Sequence, residues 1–340
     1  MMNQTNEPNI FPGLIDLASE RLGGKVLLAS DDFFASADNL LKQGRGVFIP
    51  EKYTPQGKWM DGWESRRKRV PGYDWCLVKL GAPGIIRGFE IDTNNFLGNS
   101  PLYVSVEACV ADTNTSATLL VKKPVKWTTV LAKSPVKPGV QNVFGVMSAE
   151  RWTHIRLNIF PDGGVARLRV YGTVVPDWRA LNLSRPIDLI AVGNGGLAVA
   201  ASDMFFSPMN NLIMPGKATN MGDGWETRRR RGPGNDWVIV KLGRPGVIQK
   251  VEVDTAHFRG NFPEFCSLDG SLAPDGEVDA LTWPSIDWKE IVPRVKLSAS
   301  KNHVFDSVKN VGTVSHVRLN IFPDGGVSRL RVFGIVHDTR

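Results

Sequence analysis

Carboxylates, arginines and a tryptophan crowd into one short stretch, Asp61-Gly62-Trp63-Glu64-Ser65-Arg66-Arg67, and into a second, Asp223-Gly224-Trp225-Glu226-Thr227-Arg228-Arg229. Guanidinium forks bind carboxylates through two parallel hydrogen bonds, and a glutamate held beside them can orient a substrate or transfer a proton. Arg66, Arg67, Arg228 and Arg229 are therefore candidates for clamping an anionic substrate, with Glu64 and Glu226 as candidate acid or base groups. The same residues admit a plainer use, with Asp-Gly as a turn, Trp63 and Trp225 as plugs of a core, and the charges in solvent. Both readings stand at this point.

Other polar residues recur in the same manner. Asp31 in SDDFF (Ser30 to Phe34) and Asp203 in SDMFF (Ser202 to Phe206) place an acid before a phenylalanine pair; the acid could take part in binding a substrate or metal, and the rings could pack. Asn158 and Asn320 precede the two FPDGG segments at strand ends and could hydrogen-bond a ligand. Asp-Gly-Gly itself supplies the positive φ angles of tight hairpins, a structural use. His154 and His316 repeat inside strands and read as structural residues. His257 has no counterpart, since the other copy carries Asn95 there. It adds a group titrating near neutrality and tips the expected site towards the second copy. No HExxH, CxxC, GxSxG or phosphate-loop pattern is present, so no cofactor is indicated; a divalent metal stays open without a motif to signal it.

These residues recur because the chain repeats itself. Residues 61–99 align without a gap to 223–261, with 24 of 39 positions identical, at an offset of 162. Thr153 to Gly172 returns as Ser315 to Gly334 at the same offset. Upstream, the segment from Leu14 matches that from Pro186 at an offset of 172, so the first copy carries ten extra residues between about Leu41 and Asp61. A tandem duplication of a unit of ordinary domain size follows, with domains at 1–175 and 186–340 and a linker at 176–185.

The elements that must position the candidates read as strands. Val251 to Asp254 and Val317 to Ile321 alternate apolar and polar residues, and the short segments are separated by Gly-Arg-Pro-Gly and Pro-Asp-Gly-Gly turn signals. Each half is expected to be an all-β, antiparallel β-sandwich. Only Leu14 to Leu22 looks weakly helical. A hairpin of Trp237 to Leu242 with Val247 to Asp254, turning at Gly243 to Gly246, would bring the arginine-rich segment and the Thr255 to Asn261 loop to one end.

Composition narrows the function. Hydrophobic residues make up 42% and charged residues 22% of the 340, enough for an ordinary core in each half. The N-terminal residues lack a basic start before an apolar core, and no apolar run reaches the roughly 18 residues of a membrane span. Cys76, Cys109 and Cys266 are odd in number and Val238 faces Cys76 in the repeat, so no shared disulfide framework exists and a reducing cytoplasm is expected. The net charge of +7 lies partly in two short arginine clusters, each preceded by acids. That pattern suits a small anion better than a nucleic acid.

The paired DGWE-[ST]-RR, DW-V-KLG, D-T-F-GN and IFPDGG-RLRV-G blocks, in this order and duplicated, resemble the allantoicase family over about residues 14–334. Each half is also similar to the galactose-binding-like or discoidin jelly roll, which makes a non-catalytic carbohydrate-binding module the alternative. The allantoicase resemblance implies a homo-oligomeric hydrolase that converts allantoate and water to ureidoglycolate and urea in purine breakdown.

Overall fold

The structure, a computed structural model, describes residues 11, 13–122, 125–273 and 286–337. The chain divides into two compact units, Met1–Val175 and Pro176–Arg340. Each is built on an antiparallel sheet of eight strands, and strand order in the second unit repeats that of the first.

One long strand organises each unit. Asp236–Asp254 is a single strand of 19 residues, so the expected hairpin at Gly243 to Gly246 does not form. Its first arm pairs with Thr313–Phe322, while its second arm pairs with Arg329–Val336. The two arms do not bond to each other; the chain passes between the layers of a sandwich at this corner. Close contacts explain the glycines there: a Cβ on Gly243 would lie 1.7 Å from the Asn194 carbonyl oxygen, and one on Gly246 would lie 2.6 Å from that of Ile335. The ends of the long strand still converge. Asp236 sits opposite Ile321 and Asp254 opposite Arg329, and those two partner strands are joined by the Phe322 to Gly326 turn. The equivalent strand of the first unit, Asp74–Asp92, pairs in the same way with Arg151–Phe160 and Arg167–Val174.

Alternation along these strands fills the sandwich. Cys76, Val78, Ile155, Leu157, Ile159, Leu168 and Val170 are fully buried in the first unit, as β-branched and aliphatic residues on one face of a pleated strand should be. Leu14 to Leu22 departs from the helical expectation. It forms a two-residue strand at Ile15–Asp16 and a single 3-10 turn at Glu20–Leu22. Gly23, at a φ of +88°, ends that turn, and a Cβ on Gly24 would lie 1.9 Å from the Ala18 carbonyl oxygen. Gly23 is needed for its positive φ and Gly24 for close packing, and together they stop a helix before it can propagate.

His154 is buried on Arg151–Phe160, its Nδ1 lying 2.9 Å from the Thr153 hydroxyl. Its Nε2 makes no hydrogen bond among the described residues. Burial, reinforced by Lys79 and opposed by Asp112, pushes the ring down to about 4 from 6.5. A histidine depressed on folding is held neutral in the native state, so its contribution to stability is present above the unfolded value and is lost as pH falls from about 6.5 towards 4. Denaturant titrations of the wild type should lose up to about 3 kcal/mol from this group over that range, and His154→Asn should show a correspondingly flatter acid limb.

Candidate active site

Trp63–Glu64 is a two-residue strand paired with Gly164–Val165, and Trp225–Glu226 pairs with Gly326–Val327. Trp63 and Trp225 are fully buried, and each indole N–H donates to a backbone carbonyl, that of Asp31 at 2.8 Å and that of Asp203 at 2.9 Å. The preceding Asp-Gly is not a free turn. Asp61 and Arg167 form a buried ion pair at 2.6 Å, and Asp223 with Arg329 forms its copy at 3.2 Å. A Cβ on Gly62 would press within 2.6 Å of the Val165 carbonyl oxygen. With the tryptophan buried and the aspartate paired just before it, the glutamate is held at the rim in one place.

The FPDGG turn closes over the same end. The Asp162 carboxylate accepts from the Lys68 backbone N–H at 2.8 Å, and Asp324 accepts from that of Arg230 at 2.7 Å. Only the first glycine of each pair, Gly163 and Gly325, has a positive φ, +133° in both. The second is required by packing, because a Cβ on Gly164 or Gly326 would enter the ring of Phe96 or Phe258. The Gly164 N–H in turn donates to the Asn99 carbonyl at 2.7 Å, which seats Asn99 beside the glutamate.

Asn99 donates its side-chain amide to Glu64 Oε1 at 2.7 Å, and Asn261 donates to Glu226 in the second unit. Burial pushes both glutamates above the ordinary carboxyl range, and the asparagine hydrogen bond offsets part of that rise. Glu64 lines a cavity of about 350 Å³, near the lower end of the roughly 300–1,000 Å³ usual for ligand pockets. Gln56, Asn95 and Asn99 are the amide-bearing residues of its wall, Lys58 is the basic one, and Phe34, Met60 and Leu97 add apolar surface. The wall combines one carboxyl, one lysine and a few amide-bearing residues with a mostly apolar surface, as small-molecule pockets commonly do.

The other sequence candidates lie elsewhere. Arg66 is bound to Asp31 through its backbone N–H at 2.8 Å and its Nε at 2.7 Å, and its guanidinium sits 5.1 Å from the Phe33 ring. Arg228 repeats this with Asp203 and Phe205. Burial pushes against these two aspartates, yet the hydrogen bonds from Arg66 and Arg228 hold them below the usual carboxylate range. Arg67 and Arg229 are exposed. Asn158 donates to Ser105 and Glu107, both at 3.0 Å, on a sheet face, and Asn320 donates to Ser267 at 3.1 Å and Asp269 at 2.8 Å. His257 Nε2 lies 2.9 Å from the Ala218 carbonyl oxygen. Asn95, its counterpart, donates to the Gly46 carbonyl at 3.1 Å, and both residues have a φ near +70°, 68° and 69°. The two unlike side chains therefore tie down equivalent loops.

Asn99, Asn261 and the lining residues Gln56 and Lys58 were not among the sequence candidates. The Gly-Asn pair at 98–99 and 260–261 did carry a signal, being identical in both copies. Among the described residues no group of three or more His, Cys, Asp or Glu side chains is gathered closely enough to hold a metal, and no helix is long and apolar enough to cross a membrane.

Fold and site together define a tandem β-sandwich protein with a small pocket beside a rim glutamate of the first unit. Residues 15–175 and 187–337 each match the family model described as the allantoicase repeat. The chain is 46% identical over 334 residues to a probable allantoicase of Burkholderia mallei, covering 98% of both proteins. It is 47% identical over 325 residues to a probable allantoicase of Photobacterium profundum, covering 95% of this chain and 97% of that one. The crystal structure of the Saccharomyces cerevisiae allantoicase superposes with a TM-score of 0.79 at 40% identity, over 94% of this chain and 93% of that one. The chain belongs to the allantoicase family.

Proposed function

We propose that the protein hydrolyses allantoate to ureidoglycolate and urea, with Glu64 moving the proton. The observation that carries this reading is the Glu64–Asn99 pair, a carboxyl raised by burial at the wall of a small cavity. Allantoate bears a carboxylate and two ureido groups on one methine carbon. Urea leaves intact only when the bond from that carbon to a ureido nitrogen breaks. The protonated Glu64 carboxyl donates to the departing nitrogen, which takes the electron pair of the broken bond. The lone pair of the other ureido nitrogen stabilises the methine carbon. Water then adds to that carbon and returns a proton to Glu64, so one water is consumed and the acid is restored.

In this reading Asp31 with Arg66, and Asp203 with Arg228, brace the loops that carry the glutamates. Arg67 and Arg229, exposed at the rim, draw the anionic substrate in. Asn158 and Asn320 stiffen the sheet, and His257 tethers its loop. The enzyme works as a homo-oligomer in the cytoplasm. Purified protein given allantoate should release one urea per substrate consumed, with no ammonia as first product. Binding of galactosides with allantoate left untouched would instead favour the carbohydrate-module alternative.

A further inference from the structure

We propose that Lys58, on a hairpin present in the first repeat alone, binds the substrate carboxylate and so places turnover in that repeat. The proposal rests on the allantoate reading above.

Matching contacts fix where the repeats diverge. Asn95 bonds the Gly46 carbonyl as His257 bonds that of Ala218. One residue on, the Val47 N–H donates to Asp61 Oδ2 at 3.0 Å, and the Thr219 N–H donates to Asp223 Oδ2 at 2.9 Å. Between these anchors the first repeat has thirteen residues, 48–60, and the second has three, 220–222. The surplus forms a hairpin of Tyr53–Thr54 with Gly57–Lys58. Its Gln56, Gly57, Lys58 and Met60 line the same cavity as Glu64. In the second repeat a 3-10 turn, Met221–Asp223, takes the hairpin's place, and the Met221 sulfur lies 3.9 Å from the Asn261 amide.

Among the residues lining the cavity, Lys58 is the cation and Glu64 the other ionisable group. Lys58 Nζ donates to the Pro50 carbonyl and lies 4.4 Å from the Tyr53 ring centroid and 5.0 Å from that of Phe48. Two aromatic faces and a carbonyl hold an ammonium in place without cancelling its charge. Among the described residues no carboxylate forms an ion pair with it, whereas Arg66 is already committed to Asp31. An anionic ligand can therefore pair with Lys58 without displacing a carboxylate of the described residues.

The test compares allantoate with its methyl ester on the full-length protein. Lys58→Met should raise KM for allantoate roughly ten- to hundredfold, the scale of one charged hydrogen bond, and leave KM for the ester nearly unchanged. Lys58→Arg should recover most of the loss. Lys52→Met, on the same hairpin with its ammonium 3.7 Å from the Trp59 ring, should behave as wild type. Equal losses on acid and ester, or an unchanged KM for allantoate in Lys58→Met, would overturn the proposal. If the wild type releases no urea from allantoate, the functional reading fails before Lys58 is at issue.

Discussion

Glu64→Gln is expected to lower kcat/KM for allantoate by roughly a hundred- to ten-thousandfold, the usual contribution of a positioned acid or base. The change is nearly isosteric, and the new amide oxygen can still accept from Asn99, which donates at 2.7 Å in the native protein. Melting temperature should therefore hold while turnover collapses. The pH dependence carries a second signature. Burial raises the Glu64 carboxyl, so the protonated, active form persists above the ordinary glutamate range, and kcat/KM should fall as pH rises through that raised value. Asn99→Ala removes the hydrogen bond that favours the charged form, so it should move this alkaline limb to higher pH. A limb that stays in place in Asn99→Ala would separate Glu64 from the proton transfer.

The second large effect concerns stability. Arg167 and Asp61 pair at 2.6 Å with side-chain exposures of 3% and 8%. The same guanidinium donates to the carbonyls of Asp61 at 2.9 Å and Gly44 at 3.1 Å. Burial alone would raise the Asp61 carboxyl, but the hydrogen bonds from Arg167 and the Val47 N–H hold it below its usual range. Arg167→Met strands that carboxylate in the interior, and breaking a buried pair from one side costs about 3–5 kcal/mol. A unit of this size should lose roughly 6 to 20 °C in Tm. Peptide-resolved hydrogen exchange should show the loss in residues 42–61 first, where the loops bonded by Arg167 lead into the hairpin that lines the cavity. Unchanged protection there would show that the pair is dispensable.

Much of this was legible in the residues themselves. A constant offset of 162 with alternating strands leads to two like sandwiches, and burial of Trp63 and Trp225 follows from their place between a core strand and a polar loop. The convergence of the polar loops was also readable, although for a different reason. The Gly-Arg-Pro-Gly signal marks a change of layer, and periodicity within one strand cannot distinguish that from a turn within a layer. Pairing across the fold was not legible. Nothing local to Arg66 shows that Asp31, 35 positions away, occupies its guanidinium, so a braced arginine and a free clamp look alike in the sequence. The difference between His257 and Asn95 suggested chemistry, yet each side chain bonds an equivalent carbonyl. The other asymmetry, the ten extra residues, was visible as a length difference. Its chemical content depends on where Lys58 comes to rest.

On the proposed function, the methine carbon to nitrogen bond of allantoate breaks and water adds to that carbon. Turnover in heavy-oxygen water, with products resolved by mass spectrometry at short times, tests it directly. Unlabelled urea and one heavy oxygen in the hydroxyl of ureidoglycolate are expected. Heavy oxygen in the urea, or ammonia and carbon dioxide in its place, would mean attack at a ureido carbonyl and would contradict it.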